Sequence, residues 1–320
     1  MADVVAGLAV FGAVIAVGWL LVRTRAVPAD ADGVLTRVCF FAATPALLVT
    51  TLSRADLTAV LSRATAVAVA AELAAIISAW CLHRLALRRT TAEATIGALA
   101  SGYVNAANLG IPVAVLVLGD AATIAPILLL QLLVLTPVTF TVLDAVTRRG
   151  NPSRLATLTV PLRNPLLWGV VAGTAANLGG VRLEYWCGGY PAQGLEMLGR
   201  VAVPLMMLAL GMSLAGAPRP LRNSGPDEPV RGVSRRSGLW AAVAWKLAVM
   251  PALAVAVGLA AGLGGSQLLV PVVTAALPTA QNVFMYASRY GAAKDLARDA
   301  VLLTTAGFVP VVLLAAAILR

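Results

Sequence analysis

The sequence predicts an all-α integral membrane protein: ten transmembrane helices in two inverted five-helix repeats, with helices 4 and 9 broken and crossing. Three observations lead there. The 320 residues are 60% hydrophobic and 12% charged, with a mean hydropathy of +0.89, whereas a soluble domain is about 25% charged. The apolar residues fall into ten runs of spanning length. Two of those runs, fourth and ninth in order, are interrupted at mid-depth by Pro, Asn and small residues.

The runs are Val4–Val22, Val34–Leu52, Ala64–Leu87, Ala94–Leu118 and Ala121–Val146, then Leu162–Leu178, Leu195–Gly216, Leu239–Leu263, Gln267–Ser288 and Leu296–Leu319. Asp3 precedes the first and Arg23 and Arg25 follow it, the reverse of a cleavable signal peptide, so a retained first helix is expected.

The net charge of +10 would suggest nucleic acid in a soluble protein. Here the charges lie between apolar runs and report topology instead, so no nucleic-acid partner is expected. Loops after odd-numbered runs hold 18 of the 24 Lys and Arg residues, and the opposite side holds five: Arg54, Arg63, Arg182, Arg200 and Arg320. Positive charge marks the cytoplasmic face, which places both termini outside in a multi-pass inner (plasma) membrane protein. The longest polar stretch, 217–238, reads as a mobile cytoplasmic loop. The outer segment 179–193 carries Tyr185, Trp186 and Tyr190, read as interfacial anchors. Cys39 and Cys81 read as small core side chains, and Cys187 as a loop residue without a partner.

Ten runs divide into 1–146 and 162–320, joined by a short connector, 147–161. With five spans per half, two halves of one fold must lie in opposite orientations, the plan of many secondary transporters. The fourth run contains GYVNAANLGIP (Gly102–Pro112) and the ninth ALPTAQN (Ala276–Asn282). Pro removes a backbone donor and clashes with the preceding turn. Amide side chains at this depth must face protein or water, and irregular backbone is tolerated only where buried or lining a cavity. Pro112 and Pro278 are expected near the starts of second half-helices. The free N–H groups and helix dipole there suit an anion, a carboxylate included, without a buried Arg. The alternative is two ordinary proline kinks with Asn as interhelical glue.

The segments NAANLGIP (Asn105–Pro112), RNPLLWG (Arg163–Gly169), PLMMLALGMSL (Pro204–Leu214), KLAVMP (Lys246–Pro251), LPTAQNVFMYASRYG (Leu277–Gly291) and the pair Thr304, Thr305 follow one another along nearly the whole chain. In that order and spacing they resemble the auxin efflux carrier family in its short bacterial form. The resemblance implies a ten-helix inverted repeat, helices 4 and 9 crossing at Pro, and a site there for a small organic anion moved by alternating access. The substrate-facing residues it implies are Asn105, Asn108, Pro112, Pro278, Thr279 and Asn282. The large cytoplasmic loop common between spans five and six of plant members is absent here, so neither its kinase regulation nor auxin itself is implied.

Two ionisable residues lie inside runs. Glu72, mid-way along the third, is either a proton-coupling group or a structural one. Lys246, near the cytoplasmic end of the eighth, reads first as snorkelling to the surface and otherwise as a buried coupling partner. His83 is expected at the interface beside Arg84.

An enzyme is not expected. An intramembrane protease needs a Ser–His pair or two Asp at depth, and a nucleotide-driven pump needs a P-loop. No cofactor or metal is expected, since His, Cys and acid clusters are missing. The partners are then a small organic anion, lipid and, if Glu72 couples, protons. A homodimer is open. The rival readings are a sodium-coupled carrier of the bile-acid symporter plan and a membrane receptor or channel. Runs four and nine lack the acids that sodium sites would need.

Overall fold

A computed structural model describes residues 2–28, 30–147, 162, 164–216 and 235–319. The connector from residue 148 to 161, Arg163 and residues 217–234 of the polar loop lie outside the described residues, as do the side chains of Trp186 and Cys187. Twelve main helices follow in order: α1 Ala2–Arg23, α2 Ala31–Arg54, α3 Arg63–Ala86, α4 Thr91–Gly102, α5 Ala106–Leu118, α6 Ala121–Thr147, α7 Pro165–Leu178, α8 Tyr190–Ala215, α9 Arg236–Ala260, α10 Gly265–Ala276, α11 Gln281–Tyr290 and α12 Lys294–Leu319. Each expected run is mostly helical over its described residues; runs four and nine break into α4 with α5 and α10 with α11, run seven is interrupted by a turn at Val201, and run eight ends its helix at Ala260. Six helices, α2, α3, α6, α8, α9 and α12, are long and apolar enough to cross a membrane, and the segments Gly12–Arg23, Ala106–Leu118, Pro165–Leu178 and Gly265–Ala276 are shorter apolar helices.

Local sequence sets the ends. Thr90 and Glu93 form a capping box that opens α4. Asn164 accepts the N–H of Leu166 at 2.9 Å, and Pro165 occupies the first turn of α7, where its missing donor is harmless. Interior prolines are absorbed differently. Wide π turns at Cys39–Ala43, Ala106–Gly110, Gln131–Leu135 and Trp245–Val249 each end two residues before a proline: Pro45, Pro112, Pro137 and Pro251. A proline ring clashes with the carbonyl four residues back, and a widened turn relieves that contact. Each π turn also rotates the side chains that follow, so the 3.6-residue period slips there.

The chain forms two compact units: Met1–Leu61, Ala107–Ala125 and Val160–Pro218 in the first, and Ser62–Ala106, Pro126–Thr159 and Arg219–Arg320 in the second. In the first, α1 lies on α8 and α7 on α2. Glycines allow both approaches. A Cβ at Gly18 would strike the backbone of Leu208, and one at Gly211 the carbonyl of Ile15. Gly169 and Gly173 meet Pro45 and Leu48 to Leu52 of α2 at about 2.9 Å in the same way. Such small-residue seams let membrane helices pack where no hydrophobic drive exists between them.

In the second unit α3 packs on α4, α9 and α10; α9 also packs on α10 and α4; and α12 packs on α10 and α11. Its interior holds Leu99, Ile96, Ile127, Leu128 and Met250, and also Glu72, His83, Lys246 and Asp299. His83 was expected at the interface; instead it is fully buried. Its ring lies where a Cβ on Gly97 would come within 2.6 Å, so glycine in α4 makes its space. Ser101 Oγ comes within 3.5 Å of His83 Nε2, a Ser–His approach not anticipated from sequence. That hydroxyl donates to the Gly97 carbonyl at 2.7 Å. Cys39 is buried as expected, but Cys81 is exposed on α3. Tyr185 and Tyr190 are exposed, as interfacial anchors would be.

Candidate functional site

Broken helices leave backbone donors and acceptors that hydrocarbon cannot satisfy. In the second unit those groups satisfy one another. Val104 and Thr279 form an antiparallel bridge between the two breaks. The Asn105 N–H donates to the Pro278 carbonyl at 2.8 Å, and the Ala280 N–H to the Tyr103 carbonyl at 3.1 Å. Runs four and nine therefore cross at Tyr103–Asn105 and Pro278–Ala280.

Side chains complete the account. The last carbonyls of a helix lack intrahelical partners, and that of Ala100 accepts from Thr279 Oγ1 at 2.6 Å. The Thr279 N–H donates to Thr304 Oγ1 at 3.1 Å. The Val104 N–H donates to Glu72 Oε1 at 3.3 Å. Gln131 Nε2 spans the same peptide, donating to Glu72 Oε1 at 2.8 Å and to the Val104 carbonyl at 2.9 Å. Above them Tyr103, Thr136 and Tyr286 stand in hydroxyl contact, with Tyr103 Oη 3.4 Å and Tyr286 Oη 3.2 Å from Thr136 Oγ1.

The expected residues divide accordingly. Glu72, Asn105, Pro278 and Thr279 meet at the crossing, all buried. Thr279 holds the crossing together and is itself fully enclosed. Asn282 stands exposed in the first turn of α11. Ala280 caps that helix without a side-chain hydrogen bond; the Val283 N–H turns back to the Ala280 carbonyl at 3.1 Å, and the positive end of the dipole lies beside Asn282. Asn108 and Pro112 belong to the first unit, on α5. Asn108 is half-buried and Pro112 buried there. Pro112 does not start the second half-helix, which begins six residues earlier at Ala106 because a π turn accommodates the proline inside it. Pro278 likewise lies within the extended break, with α11 starting at Gln281.

Lys246 does not snorkel. It is fully buried, donating from Nζ to the Ala275 carbonyl at 3.1 Å and lying against Met250 Sδ. It sits in the π turn before Pro251, which turns it into the interior that also holds Glu72. Glu72 Oε2 is buried without a hydrogen-bond partner. Gln131 and Thr136 were not anticipated from sequence. The signal for Gln131 was present, an amide alone in the run ILLLQLLVL, where polar groups are costly.

A family model described as "Membrane transport protein" matches residues 5–316. A protein of Rhizobium meliloti (strain 1021) named "Putative malonate transporter" is 28% identical over 319 residues, covering 95% of this chain and 92% of that protein.

Proposed function

The chain belongs to the membrane transport protein family, that of the auxin efflux carriers, and from that premise we propose that it carries a small carboxylate across the inner membrane by alternating access. The crossing of the two breaks carries this reading. It is irregular backbone held rigidly at depth, and beside it an uncapped helix start and the exposed amide of Asn282 offer donors to an anion. Asn105, Pro278, Thr279 and Asn282 of the second unit shape the site, and Asn108 and Pro112 of the first are candidates that the family resemblance adds. The relative's name points to a dicarboxylate as the first ligand to try.

The inverted repeat is part of the same reading: 1–146 and 162–320, joined through 147–161, with both termini outside. Packing within each unit supports it. Exchanging spans one to five for six to ten turns the α1–α8 contact into α7–α2, and α3–α10 into α9–α4. It also turns α3–α4 into α9–α10 and α4–α6 into α10–α12. A repeat of this kind serves alternating access by rocking one set of elements against another. Glu72 provides the proton link, with Lys246 as its partner.

Substrate-induced thermal stabilisation of the purified protein tests the site. Malonate, succinate, an indole carboxylate and neutral malonamide form the panel. A ligand at one hundred times its Kd stabilises by about 2.7 kcal/mol, so malonate or a close analogue should raise the melting temperature clearly. Asn282→Ala should lose that rise while melting normally unliganded. Stabilisation by malonamide and not by any carboxylate would contradict the anion site.

A further inference from the structure

Helix α11 exposes a largely polar face along its whole length. At 3.6 residues per turn, Gln281, Asn282, Met285, Ser288 and Arg289 lie within about 120° of arc. Asn282, Met285, Ser288 and Arg289 are exposed and Gln281 half-buried. The opposite face, Val283, Tyr286, Ala287 and Tyr290, is buried. On α3, α9 and α12 most exposed residues are apolar, among them Ala66, Ala70 and Ile77, Ala252, Ala256 and Leu259, and Ala306, Leu314 and Ile318; their exposed charges, Arg63, Arg236, Lys294 and Asp295, lie in the first turns, and α6 exposes Thr141. Those faces suit lipid. A face of two amides, a hydroxyl and a guanidinium does not, because such groups are tolerated at depth only where they meet protein or water.

Arg289 closes the stripe at its far end from the crossing. Its guanidinium lies 5.0 Å from the Phe140 ring centre and 5.5 Å from that of Tyr290, contacts that fix a cation without neutralising it. The carboxylate of Asp144 accepts from the Tyr290 hydroxyl at 2.8 Å. Among the described residues Arg289 forms no ion pair. Its charge is thus held in place and available to an anion.

We infer that the exposed face of α11 is one wall of a water-filled anion path leading to the crossing, and that Arg289 is the residue that captures the anion at its mouth. The inference rests on the carrier reading above and adds to it a route and a recruiting charge. The stripe begins at Asn282 and ends at Arg289, about two turns on, so an anion released by the arginine meets Ser288 and Met285 before the amides.

The test has two arms on the full-length protein. In a background with Cys39, Cys81 and Cys187 replaced by Ala, single Met285→Cys, Ser288→Cys and Ile77→Cys variants are treated in membranes with a charged, membrane-impermeant methanethiosulfonate. The first two should react at least about tenfold faster than Ile77→Cys, which faces hydrocarbon. Equal, slow reaction at all three would overturn the path. In proteoliposomes, Arg289→Gln should lower kcat/KM for malonate about tenfold through KM and flatten its dependence on ionic strength. Arg289→Lys should keep most of the salt dependence. An Arg289→Gln carrier with unchanged KM and salt dependence would overturn the capture role. Because labelling needs no substrate, a chain that labels as expected yet moves no carboxylate upholds the path and refutes carboxylate carriage instead.

Discussion

Glu72→Gln is expected to abolish uptake driven by an inward proton gradient while leaving substrate exchange at equal pH. The glutamine keeps an oxygen for the N–H of Val104 and for Gln131, which now bond Glu72 Oε1 at 3.3 and 2.8 Å. It loses the ability to take up a proton at Oε2, the buried oxygen without a partner. The same change removes a carboxylate from an interior that also holds the fully buried Lys246. A buried charge left uncompensated is costly, so the single variant should melt below wild type. Adding Lys246→Met should restore most of that loss without restoring proton-driven uptake. Intact proton-driven uptake in a folded Glu72→Gln carrier would remove Glu72 from the coupling step.

Thr279→Val should be nearly as damaging, although it preserves side-chain volume and branching. Thr279 Oγ1 satisfies the carbonyl of Ala100 at the end of α4. That carbonyl would find its helical partner in the N–H of Val104, which is engaged by Glu72 instead. Valine leaves the Ala100 oxygen buried and unpaired, at about 1–3 kcal/mol, and frees the crossing to shift. Transport should fall about ten- to hundredfold, since misplacing a binding group by an ångström has effects of that order. Thr279→Ser, which restores the hydroxyl, should recover most of the activity. Equal losses in the valine and serine variants would assign Thr279 a packing role rather than this hydrogen bond.

Much of this was legible in one dimension because the bilayer imposes a simple rule. Apolar runs must be helical, so helix positions followed from hydropathy to within a few residues. The breaks were legible for the same reason: Pro, Asn and Gly at mid-depth have few tolerable meanings. Glu72 stood out as a polar residue in apolar surroundings and Thr279 through the family resemblance, and both lie at the crossing. Lys246 was misread because Pro251 widens the turn that carries it and so moves it off the face that a regular helix would give. Gln131 opens another such turn, before Pro137. Neither rotation is visible to a 3.6-residue period. His83 was misread because its burial depends on Gly97 in a different helix, a contact that no local pattern records. Pro112 was placed at a helix start on the strength of its usual preference, while the helix had already begun at Ala106.

The π turns link these features to function. Three of the four that precede a proline carry a polar side chain of interest: Asn108, Gln131 and Lys246. Wide turns of this kind recur at functional positions because they present a side chain that a regular helix would turn aside. In this chain proline is as much the means of aiming those groups as of breaking the helix.

Uptake of labelled malonate into proteoliposomes holding the wild-type protein, with and without an imposed pH gradient, tests carboxylate carriage itself. Carboxylate carriage predicts saturable accumulation that unlabelled malonate or succinate competes away and that Thr279→Val and Asn282→Ala each reduce strongly. If the folded wild-type protein accumulates no malonate, succinate or other small carboxylate under either condition, the crossing is not a carboxylate site.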